Sequence, residues 1–420
     1  MMKFIIQGGK AISGEIAVGG AKNEAIKLIP AALLSSSPVI IRNMPDIEDC
    51  KRCLELFTDL GGLVEHKGEE IILTPPKEIK TTLEAQFANK LRASIMFVAP
   101  MLARNGKAVF PHPGGCVIGA GIRPIDLFTD GFAAMGVSID FSDGLYHLST
   151  KKLQACNYFF TTVSVTGTES MMMAATLANG TTILKNCAME PEIEALAIHL
   201  NKCGARITGA GTPTISIEGV SELSGAEVSV IPDRLETGTF AILAAAARAQ
   251  LKITHCHPGH LDSLLTIFKK MGIVFKTGAD WIEMISYPEQ IPAYNLKTHE
   301  YPGFPTDLQS PFTVLMTQAN GTSLIHETIY ERRLLFTDML TQMGANVTMC
   351  DPHRVVIQGP TPLHGRSLTS PDLRAGISMI IAGAIAKGKT EIDNIYQIER
   401  GYEHIDTRLR AIGIDIVRSE

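Results

Sequence analysis

The chain has 420 residues, of which 45% are hydrophobic and 19% are charged, and its net charge is −5 at pH 7. Because one hydrophobic core rarely supports this length, two or more domains are expected. The acidic balance excludes a global basic field of the kind that holds nucleic acid or an anionic membrane. Any anionic ligand must therefore be met by local positive charge.

The N-terminal segment and the cysteines predict a cytoplasmic protein. The first apolar run, residues 4–6, is much shorter than the hydrophobic part of a signal peptide. The longest apolar run, ISMIIAGAIA at 377–386, is about half of the roughly 20 residues that cross a bilayer. The eight cysteines lack the spacing of a disulfide framework, which suits reduced thiols.

Six segments of similar sequence recur along the chain. Two of them are ANGTTILKNCAMEPEIEALAIHLNKCG and ANGTSLIHETIYERRLLFTDMLTQMG, and each ends an amphipathic pattern on a glycine. The six closing glycines are 68 to 75 residues apart: Gly61, Gly136, Gly204, Gly272, Gly344 and Gly413. This spacing predicts six copies of one structural unit.

Each unit has the pattern of strand, apolar helix, strand, amphipathic helix and hairpin, which indicates an α/β fold. Apolar stretches such as ESMMMAATLA and GTFAILAAAA have no polar face and are expected to form helices buried on all sides. The halves also match, since SGEIAVGGAKNEA at 13–25 resembles SGAEVSVIPDRLET at 224–237. We therefore predict two domains of three units each, 22–229 for the first, and 1–21 with 230–420 for the second.

Polar residues stand where each apolar helix is expected to start. A helix start carries partial positive charge, so it favours anions and disfavours cations unless an anionic partner is present. Arginines and a lysine at these positions therefore predict an anion-binding cleft between the domains. The residues are Lys22, Asn23, Arg92, Thr166, Thr168, Glu169, Arg234, Glu236, Thr306, Asp307, Asp372 and Arg374. Helix capping is the alternative for the threonines and aspartates.

The second unit contains a long insertion, FPHPGGCVIGAGIRPIDLF at 110–128. Its glycines and prolines favour a loop, and long loops in compact domains are often lids or binding loops. The loop places Cys116 close in sequence to Arg123, and nearby cations lower the pKa of a thiol. We interpret Cys116 as a functional, proton-transferring thiol, with a loop cysteine of no special role as the alternative.

Two other motifs are rejected as sites. GAIAKGKT at 383–390 matches a phosphate-binding loop, but the repeat predicts a helix before it and a strand after it, the reverse of the required order. Cys50 and Cys53 have CxxC spacing inside a helical pattern without a partner pair. The histidines show no ligand spacing, so we expect no metal and no cofactor.

The motifs GGAKNEA, LRAS, PGGCVIGAGIRPIDL, PDRLETGTF, FPTDLQ, PDLRAG and ERGYEHID occur in this order. With them the chain resembles the UDP-N-acetylglucosamine 1-carboxyvinyltransferases, a family of enolpyruvyl transferases, over essentially its whole length. The resemblance implies an inside-out α/β barrel of two domains with the active site between them. It also implies transfer of the enolpyruvyl group of phosphoenolpyruvate to UDP-N-acetylglucosamine, the first committed step of peptidoglycan synthesis.

The resemblance assigns catalytic roles residue by residue. Cys116 corresponds to the general acid, which makes it the expected site of alkylation by the epoxide fosfomycin, and Asp307 corresponds to the base at the sugar hydroxyl. Lys22 and Arg400 complete the implied catalytic set. The implied phosphoenolpyruvate-binding residues are Lys22, Asn23, Arg123, Arg333, Arg374 and Arg400.

The resemblance also implies a sugar-nucleotide site on several segments. Its residues are Arg92, Arg123, Pro124, Ile125, Asp126, Leu127, Thr162, Val163, Ser164, Val165, Asp307 and Ile329. The expected partners are these two small-molecule substrates, without nucleic acid or membrane, and the oligomeric state is open.

Two alternatives stay open. An enolpyruvyl transferase that uses shikimate 3-phosphate shares the fold but lacks the PGGC loop. A catalytically silent paralogue that binds UDP-N-acetylglucosamine would have a regulatory role, and it is favoured only by Gly121 and Ile122, which lengthen the loop relative to the family pattern.

Overall fold

The structure is a computed structural model that describes residues 2–114 and 125–419. Among these residues the chain forms two compact units. One comprises 2–19 and 232–419, and the other comprises 20–114 and 125–231. Each unit has its own apolar core. Within the described ranges, no helix combines the length and the apolar character needed to cross a membrane.

The strands are short, and most run for three to six residues. In chain order they are β1 (Lys3–Gln7), β2 (Ser13–Ala17), β3 (Val39–Arg42), β4 (Leu63–Lys67), β5 (Glu70–Thr74), β6 (Lys107–Pro111), β7 (Ser138–Ser142), β8 (Leu145–Ser149), β9 (Asn157–Phe159), β10 (Thr181–Lys185), β11 (Arg206–Thr208), β12 (Thr214–Glu218), β13 (Glu227–Ser229), β14 (Gln250–Thr254), β15 (Val274–Thr277), β16 (Trp281–Ser286), β17 (Leu296–Lys297), β18 (Gly321–His326), β19 (Asn346–Asp351), β20 (Arg354–Gly359), β21 (Ser367–Thr369), β22 (Lys389–Asp393) and β23 (Asp415–Ser419).

The α-helices alternate with these strands. They are α1 (Lys22–Ala31), α2 (Glu48–Asp59), α3 (Ala85–Ala88), α4 (Val98–Asn105), α5 (Asp126–Ala134), α6 (Val165–Ala175), α7 (Pro191–Lys202), α8 (Arg234–Ala247), α9 (Asp262–Lys270), α10 (Gln309–Thr317), α11 (Thr337–Gln342), α12 (Leu373–Ile385), α13 (Tyr396–Glu399) and α14 (Ile405–Ala411). Single 3₁₀ turns cover Ala32–Leu34, Arg92–Phe97, Pro258–Leu261, Thr306–Leu308 and Arg333–Phe336.

The strands form one small sheet per repeat. In the third repeat β9 is followed by α6 and pairs in parallel with β10, and α7 then leads to the antiparallel hairpin of β11 and β12. The sheet order is β11-β12-β10-β9, and the other four-stranded sheets have the corresponding order. The sheet β6-β8-β7 has three strands among the described residues, with Thr82 forming a single parallel bridge to Val109 at the edge where the fourth strand lies in the others.

Strands are exchanged where the chain passes between the units. β2 precedes α1 in sequence but pairs with β14, and β13 precedes α8 but pairs with β3. β1 lies between β22 and β23 and thereby completes the sheet of the last repeat. The N-terminal strands therefore belong to the sheets of the unit that begins again at Pro232.

The apolar helices are buried as their composition predicts. Every residue of α10 is buried, and so are all residues of α8 and α12 except the last one of each. The closing glycines of the repeats, Gly61, Gly136, Gly204, Gly272, Gly344 and Gly413, all have φ between 72° and 102°. Glycine is favoured there because a side chain strains this left-handed conformation.

The GAIAKGKT motif is confirmed not to be a phosphate-binding loop. It joins the end of α12 to the start of β22, so a helix leads into it and a strand leads out. In a phosphate-binding loop the order is reversed, because the amides of the following helix hold the phosphate.

Two buried hydroxyls at the same repeat position give a stability prediction. Thr182 and Thr390 are the second residues of β10 and β22, and their hydroxyls have no hydrogen-bond partner within residues 2–114 and 125–419. Thr182→Val and Thr390→Val should each raise the free energy of unfolding by about 1 kcal/mol, because an unpaired buried hydroxyl is costly. Urea unfolding measures this. The control Thr176→Val, which removes a 2.7 Å bond from the Thr176 hydroxyl to the Met173 carbonyl, should lower stability.

Candidate active site

Asp307 forms a three-residue ion-pair cluster with two arginines of its own unit. It lies in the turn Thr306–Leu308 that leads into α10. Its Oδ1 accepts a hydrogen bond of 2.8 Å from Arg333 Nη2. Its Oδ2 accepts a hydrogen bond of 3.0 Å from Nε of Arg374, a residue in the first turn of α12, and lies 2.9 Å from Nη2 of the same guanidinium. Both carboxylate oxygens are therefore engaged by cations.

The two arginines are almost fully buried and remain charged. Burial by itself lowers the pKa of a guanidinium, but the Asp307 carboxylate outweighs it, so the pKa values of Arg333 and Arg374 are raised. Glu327 adds to this effect on the pKa of Arg333. Buried arginines bound to a carboxylate retain a fixed geometry and a full positive charge, as the binding of an anionic substrate requires.

Two linked hydroxyl groups bind Arg374 at Nη1, the guanidinium nitrogen that does not contact Asp307. Its Nη1 donates to the Tyr402 hydroxyl at 3.0 Å, and the hydroxyls of Tyr402 and Thr239 lie 3.1 Å apart. The Thr239 hydroxyl donates to the carbonyl of Leu235 at 2.7 Å. Because Thr239 has given its one proton to Leu235, Tyr402 donates to Thr239 and accepts from Arg374. This sequence of bonds holds the guanidinium against Asp307.

The other predicted residues of this unit lie on separate elements. Arg400 is buried at the end of α13, and its Nη1 donates to Gln397 Oε1 at 3.2 Å. Ile329 is half-buried in the segment after β18, and its amide donates to Glu327 Oε1 at 2.8 Å. Of the predicted residues in this unit, Asp307, Arg333 and Arg374 are thus in direct contact.

In the other unit, Lys22 and Asn23 begin the buried helix α1. Lys22 Nζ lies 2.8 Å from Asp49 Oδ2, and both side chains are largely buried. The carbonyl of Asn23 accepts a bond of 2.7 Å from Lys27 Nζ. The cation that opposes the helix dipole at Lys22 therefore has a carboxylate within its own unit.

The predicted sugar-nucleotide residues of this unit lie mostly at helix starts. Arg92 is the first residue of a 3₁₀ turn and is half-buried. Ile125 is buried directly before α5, whose first two residues are Asp126 and Leu127. Thr162 and Val163 precede α6, and Ser164 caps it by accepting a 3.1 Å bond from the Gly167 amide, with Val165 as the first helical residue. Cys116, Arg123 and Pro124 lie outside the described residues.

Comparisons with known proteins cover the whole chain. Residues 6–409 match the model of the family described as EPSP synthase (3-phosphoshikimate 1-carboxyvinyltransferase). A UDP-N-acetylglucosamine 1-carboxyvinyltransferase of Treponema denticola is 43% identical over 430 residues, with 100% of each chain covered. A UDP-N-acetylglucosamine 1-carboxyvinyltransferase 2 of Listeria monocytogenes is 42% identical, with 99% of this chain and 98% of that one covered.

The chain belongs to the UDP-N-acetylglucosamine 1-carboxyvinyltransferase family. As a member of this family of carboxyvinyltransferases it is an enzyme. Two solved structures share its fold. The enolpyruvyl transferase NikO of Streptomyces tendae has a TM-score of 0.89 at 24% identity, covering 100% of this chain and 99% of that one. EPSP synthase of Acinetobacter baumannii has a TM-score of 0.76 at 18% identity, with both chains fully covered. The predicted enolpyruvyl transferase fold is confirmed.

Two buried glutamates occupy equivalent positions in the two halves of this carboxyvinyltransferase, and sequence reasoning named Glu236 but missed Glu24. Glu24 is the third residue of α1 and accepts the Ile231 amide at 2.6 Å, and Glu236 is the third residue of α8 and accepts the Gly19 amide at 2.8 Å. The aligned segments GGAKNEA and IPDRLET place a glutamate at this position in both halves. That shared glutamate was the available signal, and in both halves its carboxylate binds a backbone amide.

Glu24 makes stability depend on pH. Burial raises its pKa to about 8, and the carboxylates of Glu192 and Glu169 add to the shift. An unfolded glutamate has a pKa of about 4.3, so the folded protein keeps a proton that the unfolded chain releases, and stability falls as pH rises from about 5 to 8. Glu24→Gln, whose amide oxygen still accepts the Ile231 amide, should be more stabilising at pH 8 than at pH 5, by about 3 kcal/mol.

Urea unfolding at both pH values measures this effect. The exposed Glu222→Gln in the same unit is the control and should change stability equally little at pH 5 and pH 8. An equal effect of Glu24→Gln at the two pH values would show that Glu24 is ionised in the folded protein.

Proposed function

We propose that this protein transfers the enolpyruvyl group of phosphoenolpyruvate to the 3-hydroxyl of UDP-N-acetylglucosamine and releases phosphate. The relatives that match it along essentially their full length are named for this activity. In the cell this reaction commits a sugar nucleotide to peptidoglycan synthesis. The substrates are small anionic molecules, which agrees with the local cations of a chain whose net charge is −5.

The reaction proceeds by addition and elimination. A proton is added to the methylene carbon of phosphoenolpyruvate while the sugar hydroxyl loses its proton and forms a bond to the neighbouring carbon. In the second step the methyl carbon loses a proton and the bond to phosphate breaks, which restores the double bond. General acid and base groups must therefore face the same carbon pair.

Asp307 is assigned as the base at the sugar hydroxyl, and Cys116 as the acid. Arg333 and Arg374 bind the two oxygens of the Asp307 carboxylate and fix its orientation. These arginines, with Lys22, Asn23, Arg123 and Arg400, bind the phosphate and carboxylate of phosphoenolpyruvate. Fixed cations stabilise the charge that develops on these groups through both steps.

The sugar nucleotide is assigned to residues near helix starts. Arg92 provides a cation, Asp126 and Leu127 begin α5, and residues 162–165 lie at the start of the buried helix α6. Arg123, Pro124 and Ile125 complete the assigned segment. Asp307 and Ile329 are assigned to the same ligand. Amides at helix starts suit the negative charge of a diphosphate.

One observation carries the proposal most directly: a carboxylate held by two buried arginines, in a chain that matches these carboxyvinyltransferases along its full length. The chemistry needs a carboxylate base held in a fixed position and cations that stay charged when buried. The Asp307 cluster supplies both.

Phosphate release from phosphoenolpyruvate, measured with and without UDP-N-acetylglucosamine, tests the function. Release that depends on the sugar nucleotide and falls at least about a hundredfold in Cys116→Ser supports it. No release from the unmodified protein, with the sugar nucleotide still bound in a calorimetric titration, would instead indicate the regulatory paralogue. Fosfomycin should add its mass to the wild-type protein and not to Cys116→Ser in an intact-mass measurement.

Acceptor specificity is tested separately, because the matched family model takes its name from an enzyme acting on shikimate 3-phosphate. Product analysis with each acceptor in turn should give an enolpyruvyl product with UDP-N-acetylglucosamine. A product formed only with shikimate 3-phosphate would contradict the assignment.

A further inference from the structure

In three repeats the residue directly after the strand that pairs in parallel with the edge strand has the same structural role. It is an asparagine, Asn43, Asn186 or Asn394, placed directly after β3, β10 or β22. Each donates from Nδ2 to a carbonyl at the end of the parallel edge strand, at 2.8, 2.7 and 2.8 Å. All three have left-handed φ values of 55° to 57°. This asparagine joins the two parallel strands where they end.

In the fifth repeat the equivalent residue, directly after β18, is Glu327. It has no exposed surface, which is costly for a carboxylate unless hydrogen bonds compensate. The link to the edge strand is made by the next residue, because the Thr328 hydroxyl donates to the Thr298 carbonyl at 2.6 Å. The asparagine's task is thus fulfilled without Glu327, and its carboxylate has other partners.

The two oxygens of Glu327 have different surroundings. Oε1 accepts from the amides of Ile329 and Tyr330 at 2.8 and 3.1 Å and from the Thr298 hydroxyl at 3.1 Å. Oε2 accepts from the Thr306 hydroxyl at 2.8 Å. The first oxygen is held by two amides of its own segment and by the Thr298 hydroxyl, and the second is directed at the residue before Asp307.

The Thr306 hydroxyl links the Glu327 carboxylate to Arg333 by two hydrogen bonds. A hydroxyl has one proton, and an ionised carboxylate can only accept, so Thr306 donates to Glu327. Its oxygen is then an acceptor toward Arg333 Nη1 at 2.7 Å, while Nη2 of the same guanidinium binds Asp307 Oδ1 at 2.8 Å. The fork of Arg333 is therefore fixed at both nitrogens.

We propose that Glu327 is a positioning residue which, through the Thr306 hydroxyl, sets the orientation of Arg333 against Asp307. The proposal rests on the proposed function of Asp307 as the base. It explains why this repeat has a carboxylate where three others have asparagine. Glu327 also brings a second negative charge to the cluster, which matches the two buried guanidinium groups of Arg333 and Arg374.

Two variants test the proposal, and both are chosen from the contacts and the repeats described above. Glu327→Asn inserts the residue found at this position in three other repeats, and Thr306→Val removes the hydroxyl that joins Glu327 to Arg333. Each should lower kcat about ten- to a hundredfold. Thr306→Val leaves the bond from the Ile329 amide to Glu327 in place and should not change the KM for UDP-N-acetylglucosamine. Since both changes break one path, the double variant should lose no more than the single ones. Thr306→Ser keeps the hydroxyl and should retain nearly full kcat.

Thr322→Val on the exposed side of β18 is the matched control and should leave kcat unchanged. Wild-type kcat in both Glu327→Asn and Thr306→Val, losses that multiply in the double variant, or a kcat in Thr306→Ser as low as in Thr306→Val would overturn the proposal.

A crystal structure of Thr306→Val gives a readout that does not depend on activity. The bond of 2.8 Å between Arg333 Nη2 and Asp307 Oδ1 should be lost or lengthened. An unmoved Arg333 would overturn the proposal even if the variant were inactive. Absence of turnover in the wild-type enzyme would contradict the proposed function alone, because the displacement of Arg333 can still be measured.

Discussion

Asp307→Asn should lower kcat for phosphate release at least about a hundredfold, because an amide cannot take the proton of the sugar hydroxyl. The KM for phosphoenolpyruvate should not rise, since Arg333 and Arg374 keep their charge and lose a competing carboxylate. The amide oxygen can still accept a hydrogen bond from one arginine. The amide NH2 group, however, would meet the N–H groups of the other arginine, and two donors cannot bond to each other. Some loss of stability is therefore expected as well.

Steady-state kinetics and urea unfolding separate these two effects. Asp338→Asn, an exposed carboxylate of α11 in the same unit, is the control and should change neither kcat nor stability. If Asp307→Asn retained more than about a tenth of the wild-type kcat, Asp307 could not be the principal base.

Lys27→Met should lower the free energy of unfolding by about 3 to 5 kcal/mol at pH 8. Lys27 Nζ lies 3.1 Å from Glu169 Oε2, and the two side chains are 4% and 0% exposed. Burial raises the pKa of Glu169 to about 7 even with the lysine present. Without the lysine, a buried carboxylate would remain beside Glu24 and Glu192 with no cation to compensate it.

The loss should be smaller at pH 5, where Glu169 takes up a proton in the folded protein and no longer needs the lysine. The double variant Lys27→Met with Glu169→Gln should recover most of the stability at pH 8, because it removes both charges together. Urea unfolding of the single and double variants at the two pH values measures this coupling. Equal losses at pH 5 and pH 8, or no recovery in the double variant, would show that the pair contributes little.

Much of the fold could be predicted from the sequence because residues that recur in each repeat indicate the local backbone conformation. The closing glycines mark a left-handed turn that recurs six times, and the apolar helices have no polar face to expose. The sequence also assigned residues 1–21, and with them β2, to the second domain. It did not predict the strands that β2 and β13 pair with, since each has the same sequence pattern whichever sheet receives it. Pairing between distant segments is a property of the folded chain.

The candidate site could be predicted only in part. Asp307, Arg333 and Arg374 were named from motifs, and the structure brings these three residues of one unit into contact. Glu327, Tyr402 and Lys27 were not named, because their roles come from the partners they reach in space. For Glu327 a signal existed, because three other repeats have asparagine at this position. The role of the glutamate, however, can be inferred only from its contact with Thr306 in the structure.

The sequence by itself determined the six repeats, the buried helices and the family of this enzyme, because these follow from local periodicity and from motifs that are read in order along the chain. Only the tertiary structure decided which charges meet. Hydrogen bonds act over about 3 Å, and residues 26 and 67 positions apart come within that distance at Asp307 only when the chain has folded.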